Sequence, residues 1–360
     1  MIFIEQIQNQ YDLRNNLIEV AKELSKCRNA DARKKKLPII IKKDGSHDLT
    51  KLIKPLNLPL DPNVKISGAL PEKCQVFVSA KFPIKYSFHV TNDSQCFIKK
   101  DDPSRYDIMF KYGDDLRQDQ LILQIISFMD ALLKRVNLNF EFTTYKVLAT
   151  SKTDGFVEFV PGCMTIYDIL KENKDNITPY FIKVAETSGI PLEKIKESYI
   201  NSCAGYCVVT YILGIGDRHL ENLLIDNKGK LLHIDFGYIL GKDPKLYPPP
   251  MKLCRQMVEC MGGQDSEDFK KFKTKCVDSY FYLRQNARLI VNMFYLMVHC
   301  GISELSDNYE NVLNKLHEKF VPKFNPEEAS KSLLNKLEES ISALYPYFME
   351  KVHDWAKYFK

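Results

Sequence analysis

The apolar residues change period partway along the chain, and that change limits the folds open to it. In 74–82, 84–90, 95–100 and 106–112 they fall in short β-branched and aromatic runs broken by Pro, Asn and Asp. In DDLRQDQLILQIISFMDALLKRV the apolar positions Ile122, Ile125, Ile126, Met129, Leu132, Leu133 and Val136 form a helical stripe instead. Two more strands are predicted in TTYKVLAT and GFVEFVPG, and beyond Gly162 the pattern is helix and loop apart from a hairpin near 223–234. A sheet with one helix, followed by a mainly helical half, is a bilobal α+β arrangement.

Upstream, residues 1–37 read as helical, with Ile4, Ile7, Tyr11, Ile18 and Leu24 on one side and the basic run Arg33-Lys34-Lys35-Lys36 near the end. Pro38 is expected to close that helix. Residues 44–73, punctuated by Pro55, Pro59, Pro62 and Pro71, read as loop. The uncharged run 198–216 is long enough to suggest a membrane span. It contains Asn201, Ser202 and Thr210 and runs straight into Asp217-Arg218-His219, which fits a helix buried inside a large domain better.

Composition removes several function classes. With 45% hydrophobic and 27% charged residues in 360, the chain has material for a core and is neither disordered nor fibrous. A formal charge of +5 demands no nucleic-acid partner. The ten cysteines are scattered and form no C-x-x-C pair, which argues for reduced thiols over a disulfide framework or structural zinc. The start, MIFIEQIQNQYDLRN, lacks the apolar core of a signal peptide.

Chemistry concentrates in 214–237, GIGDRHLENLLIDNKGKLLHIDFG. Asp217 and Asn222 stand five apart, and Asp235-Phe236-Gly237 follows a hairpin turning at Asn227-Lys228-Gly229. Phosphoryl transfer from ATP needs hard oxygen ligands for Mg²⁺ and a group to receive the hydroxyl proton. Asn222 and Asp235 suit the metal; Asp217 or His219 suits the proton. Protein kinases use H-R-D-x-x-x-x-N with D-F-G. Here the first triplet is reversed, with the same Asp-to-Asn interval. A lone D-F-G carries little weight, but its pairing with D-R-H-x-x-N across one hairpin is specific.

These residues resemble the phosphatidylinositol 3-kinase/4-kinase superfamily. FKYGDDLRQDQLILQII (110–126), YKVLAT (145–150), CAGYCVVTYILG (203–214) and PPPMKL (248–253) narrow the likeness to the class III, vacuolar-sorting type of phosphatidylinositol 3-kinase catalytic domain, over roughly residues 55–360. The resemblance implies a bilobal protein-kinase-like fold. Residues 1–37 would lead into the domain, 38–157 form an antiparallel-sheet N-lobe, 158–164 a hinge, and 165–360 a mainly helical C-lobe. It implies ATP with Mg²⁺, or Mn²⁺ in its place, as cofactors. Lys111 matches the ATP-phosphate lysine, Ser79, Ala80 and Lys81 the phosphate loop, and Asp119 and Tyr145 the depth of the nucleotide pocket. Glu158, Phe159 and Val160 match the adenine hinge. By its own pattern Asp119 lies just off the helical stripe, facing either Lys111 or solvent.

Two readings of the base stay open. Histidine titrates nearer neutrality and family precedent favours His219, whereas the protein-kinase interval points to Asp217. Arg218 reads as a charge tying the loop together, and His233 as a supporting residue rather than a ligand.

The segment after D-F-G should read the lipid headgroup. Before Met251 its only cations are Lys242 and Lys245, and few cations mean few phosphates bound. The expected substrate is therefore phosphatidylinositol itself, phosphorylated at the 3-hydroxyl. In the last helix Phe348, Val352, Trp355 and Phe359 recur at 4-3-4 spacing among lysines, which suits contact with an anionic membrane as well as packing on the C-lobe. Implied partners are membrane phosphatidylinositol, a regulatory kinase-like subunit and proteins of autophagy and endosomal complexes. The implied location is cytoplasmic, peripheral on endosomal, vacuolar or autophagic membranes. The competing readings are a 4-kinase or related protein kinase, against which PPPMKL argues, and a catalytically silent scaffold.

Overall fold

The computed structural model describes residues 2–79, 81–92, 104–306 and 308–342. The fold is α+β and separates into two compact units, Met1–Leu123 with Tyr145–Pro161, and Gln124–Thr144 with Gly162–Lys360.

The first unit holds helices α1 (Ile2–Ser25) and α2 (Ala30–Ile41), then strands β1 (Leu56–Leu58), β2 (Asp61–Ala69), β3 (Gln75–Val76), β4 (Ile84–Val90) and β5 (Arg105–Tyr112). Helix α3 (Arg117–Lys134) starts in this unit, and β6 (Val147–Ala149) and β7 (Asp154–Glu158) complete it. The sheet is antiparallel in the order β1-β2-β4-β5-β7-β6, with β3 added to β4. From α1, Leu13, Leu17, Val20, Ala21 and Leu24 enter one core with Phe88, Ile108 and Phe156 of the sheet.

Three expectations for this unit are corrected. Of the expected face of α1, Leu24 is buried and Ile18 packs against the core, but Ile4, Ile7 and Tyr11 are exposed. The helix ends at Ser25, and a second begins where Asn29 Oδ1 accepts the Ala32 N–H at 2.8 Å, an N-cap. Pro38 then sits inside α2 rather than closing a helix. An internal proline costs about 3 kcal/mol. Burying Leu37, Ile40 and Ile41 in the last turn offsets it, at roughly 1.5–3 kcal/mol per side chain. Finally, the proline-rich stretch read as loop contains β1 and β2, and the expected strand at 95–100 lies outside the described residues. Pro55 and Pro59 fall outside the ladder and Pro62 near a strand start, where a missing N–H is tolerated. Leu56, Leu58, Val64 and Ile66 supply the buried positions.

The second unit contains β8 (Met164–Thr165), α4 (Ile166–Glu172), α5 (Thr178–Ser188), α6 (Leu192–Leu213), β9 (Leu223–Ile225) and β10 (Leu231–His233). Helices α7 (Arg255–Glu259), α8 (Glu267–Gln285), α9 (Ala287–Tyr295), α10 (Ser303–Ser306), α11 (Tyr309–Glu318) and α12 (Pro326–Ser342) follow. Strands β10, β9 and β8 form a small antiparallel sheet. Every residue of α6 from Ser198 to Leu213 is buried, which explains its lack of charge. Among the described residues, no helix is long and apolar enough to cross a membrane. Cys203, Cys207, Cys260 and Cys276 are buried outside any disulfide. Burial pushes the Cys260 thiol up to about 12, consistent with inert packing groups.

Inside this core a serine hydroxyl ties two elements together. The Ser202 hydroxyl donates to Ser198 O at 2.7 Å and accepts the buried Leu231 N–H at 2.8 Å, joining α6 to the start of β10. Ser202→Ala would leave that N–H unsatisfied, at a cost of about 1–3 kcal/mol. The expected outcome is a lowered denaturation midpoint with an unchanged urea m-value.

Candidate active site

In the second unit the site begins where α6 stops. Gly214 caps the helix at φ +58°, and a Cβ there would lie 2.5 Å from the Gly241 nitrogen. At Gly216 a Cβ would come within 2.2 Å of the Lys242 carbonyl. The two glycines let the chain after α6 lie directly against the chain after D-F-G. Main-chain bonds from Leu240 to Leu213, Gly241 to Gly214 and Gly216 to Tyr238, each 2.9 Å, close that contact. Asp217 follows with its backbone at φ +52°, and its N–H donates to Asp243 Oδ2 at 2.9 Å.

Arg218 is buried and binds both chemistry-bearing loops. Its Nε donates to Gly216 O at 2.7 Å and its Nη1 to Ile234 O at 2.8 Å, while Nη2 donates to Asp235 O. The loop is further closed by Asn222 Nδ2 donating to Asp217 O and by the Ile234 N–H donating to Asn222 O, both at 3.0 Å. His219 and Asp217 are partly exposed, with Nε2 3.9 Å from Oδ2. Asp235 is exposed and stands at φ +62°. His233 is buried and stacks on Tyr206, with ring centroids 4.8 Å apart. Burial, with Arg218 and Lys252 nearby, holds its imidazole well below the usual range, so it stays neutral and serves packing.

The donor set fits a hard divalent cation that shares its coordination with phosphate. With Nδ2 of Asn222 committed to Asp217 O, its carbonyl oxygen is the donor left for a metal, and Asp235 supplies a carboxylate one residue beyond the Asn222–Ile234 bond. Mg²⁺ takes one or two protein carboxylates and completes its shell with water and phosphate oxygens. Among the described residues no group of three or more His, Cys, Asp or Glu forms a closed protein cage.

In the first unit the cations gather around Asp114. Lys81 Nζ lies 2.6 Å from Asp114 Oδ1, and Lys111 Nζ lies 3.5 Å from Oδ2. Partial burial raises the Asp114 carboxyl, but Lys111 and Lys81 outweigh it and hold the group below the ordinary carboxylate range. The 79–83 loop joins β3 to β4, turning through a Phe82 N–H to Ser79 O bond of 3.2 Å. Strands β1 and β2 precede it in the chain, and Ala80 lies outside the described residues. Asp119 and Tyr145 are both buried, which removes the solvent-facing alternative for Asp119.

Glu158 ends β7. It accepts the Lys146 N–H at 3.0 Å and the Tyr106 hydroxyl at 3.4 Å. Phe159 stacks near Phe77 with centroids 6.3 Å apart, under Lys85 at 4.7 Å, and Val160 follows, partly buried.

Of the headgroup candidates in the second unit, Lys242 Nζ lies 3.5 Å from Glu304, and Lys245 lines a small cleft with Arg218, Asp243 and Pro248-Pro249-Pro250. Phe348, Val352, Trp355 and Phe359 lie outside the described residues. Sequence reasoning missed Asp243, which accepts the Asp217 N–H at 2.9 Å and the Lys245 N–H at 2.7 Å. Its only signal was an Asp two residues after Gly241. Arg218→Ala strips three carbonyls of one charged donor. The chain should lose at least about 2 kcal/mol of stability in chemical denaturation, whereas Arg218→Lys should recover part of it.

A profile described as "Phosphatidylinositol 3- and 4-kinase" matches residues 105–307. Among curated proteins the chain is 41% identical to the nodule isoform of phosphatidylinositol 3-kinase of Glycine max, over 99% of this chain and 43% of that protein. It is 38% identical to phosphatidylinositol 3-kinase pik3 of Schizosaccharomyces pombe, over 99% and 44%. With phosphatidylinositol 3-kinase VPS34 of Saccharomyces cerevisiae it shares 37% identity, over 98% and 39%. The chain thus spans less than half the length of these relatives. Since the matched region holds Lys111, the Asp217–Asn222 loop and Asp235, the chain belongs to the phosphatidylinositol 3- and 4-kinase family.

Proposed function

We propose that this chain is the catalytic region of an ATP-dependent lipid kinase that transfers the γ-phosphate to the 3-hydroxyl of phosphatidylinositol, giving phosphatidylinositol 3-phosphate. One observation carries the reading. A single buried guanidinium fixes the Asp217–Asn222 loop and Asp235 together, in a chain whose curated relatives bear the name phosphatidylinositol 3-kinase.

Phosphoryl transfer asks a protein for positioning and charge stabilisation rather than covalent chemistry. Lys111 and Lys81 would neutralise phosphate charge, with Asp114 keeping both ammonium groups ordered before nucleotide arrives. Ser79 and the main chain of its turn would cradle phosphate oxygens, while Asp119 and Tyr145 would line the pocket. Main-chain groups of Glu158, Phe159 and Val160 would meet the adenine edge. Mg²⁺ or Mn²⁺, when held by Asn222 and Asp235, supplies Lewis-acid neutralisation of phosphate charge. His219 would take the inositol hydroxyl proton at Nε2, and the Asp217 carboxylate 3.9 Å from that nitrogen would stabilise the imidazolium formed.

The headgroup-reading segment supports an unphosphorylated inositol. Of its two cations before Met251, Lys242 is already engaged by Glu304, which leaves little charge for extra phosphates. Trafficking and autophagy roles, peripheral attachment to endosomal, vacuolar or autophagic membranes, and assembly with a regulatory kinase-like subunit belong to the same proposal, supported by resemblance. Turnover on vesicles of phosphatidylinositol should exceed that on the 4,5-bisphosphate by at least about tenfold, one lost charged contact being worth that much. Preference for the bisphosphate would contradict the reading.

A further inference from the structure

One charged pair of the first unit has no part in the chemistry above. Arg14 of α1 binds Asp154 with two parallel bonds, Nε to Oδ1 and Nη2 to Oδ2, both 2.7 Å, across 140 residues of sequence. The Asp154 side chain is only 2% exposed. It also accepts the hydroxyls of Thr150 and Ser151, and its carbonyl accepts the N–H of both residues, at 3.0 and 3.1 Å. The β6–β7 turn is thus wound around Asp154, and Arg14 is the cation that offsets its burial.

That turn carries Thr153. Its carbonyl accepts the Gly113 N–H at 2.6 Å and the Asp114 N–H at 3.2 Å. Asp114 in turn holds Lys81 and Lys111. In the sheet, Tyr112 pairs with Asp154 and Lys111 with Gly155, so the strand bearing the lysine lies directly beside the anchored turn. A continuous run of hydrogen bonds therefore joins α1 to the two lysines: Arg14, Asp154, the turn, Thr153, Asp114.

We propose that Arg14 is a positioning residue for nucleotide binding, setting the placement of Lys111 and Lys81 through the Asp154 turn. The inference rests on the reading that these lysines meet ATP phosphates. Buried Asp154 without Arg14 must take up a proton or draw in water, and either loosens the turn that orders Asp114. Lys111 would then lose its fixed direction, and misplacement of a binding group by a fraction of an ångström weakens its contact severalfold or more. Anchoring of α1 alone predicts lost stability without any selective effect on ATP.

The test compares Arg14→Ala with Leu17→Ala, a core truncation on the same helix that leaves the hydrogen-bond run intact. Both are measured in the full chain for KM of ATP, KM of phosphatidylinositol, kcat and thermal midpoint, with direct titration of a fluorescent ATP analogue. Arg14→Ala should raise KM for ATP and weaken analogue binding by about tenfold, leave KM for lipid unchanged, and be partly rescued by Arg14→Lys. Leu17→Ala should lower the midpoint without moving KM for ATP. If Arg14→Ala does not fold, Asp154→Asn with Arg14 retained is read in the same way. An Arg14 variant whose KM for ATP matches wild type, or moves no more than that of Leu17→Ala, overturns the proposal. Lys111→Ala is measured alongside. Unchanged ATP affinity in that variant would instead sink the reading of the lysines on which the inference stands.

Discussion

The buried guanidinium of Arg218 is the contact on which the geometry of the second unit's candidate site depends. It reaches carbonyls that are 2, 16 and 17 residues away and so binds the end of α6 to the strand leaving β10. Arginine suits this task because its five donors form a planar fork and it cannot lose its charge by deprotonation. A buried cation must be matched by surrounding dipoles or charges, and three carbonyls contribute. The Asp217 and Asp235 backbones both stand at positive φ, a conformation that costs of order 1–3 kcal/mol for a residue with a side chain. Neither would hold its geometry without the bonds around it. The strain is spent on aiming: Asp235 is exposed beside the Asn222 loop, while Asp217 is anchored by Asp243 behind it.

The first unit solves a comparable problem with different parts. Asp114 draws two lysine ammonium groups to one carboxylate, and the main chain bearing Asp114 is held by the Thr153 carbonyl. On the proposed reading these lysines meet phosphate, and such positions must be firm before the ligand arrives, because catalysis by placement gains nothing from groups that must first be ordered.

Much of this was legible in the sequence. Strand β4 falls on the stretch its β-branched and aromatic run predicted, and α3 and α6 follow from a helical stripe and from an uncharged run with polar interruptions. The joint motif at 214–237 pointed to Asp217, His219, Asn222 and Asp235, and to Arg218 as a tie within the loop. What escaped were features decided by distant partners. Pro38 is kept inside α2 by the burial of Leu37, Ile40 and Ile41, and β1 and β2 by their places in a sheet whose other strands come later. No local period predicts that Arg14 meets Asp154 or that Asp243 caps the Asp217 amide. Those pairings exist only once the chain is folded.

The account is tested most directly by chemical identification of the product made on phosphatidylinositol vesicles with ATP and Mg²⁺. It predicts a single phosphate at the inositol 3-position, with product formation abolished in Asp235→Ala while the chain stays folded. Phosphate at the 4-position, or lipid phosphorylation that survives Asp235→Ala, would contradict it.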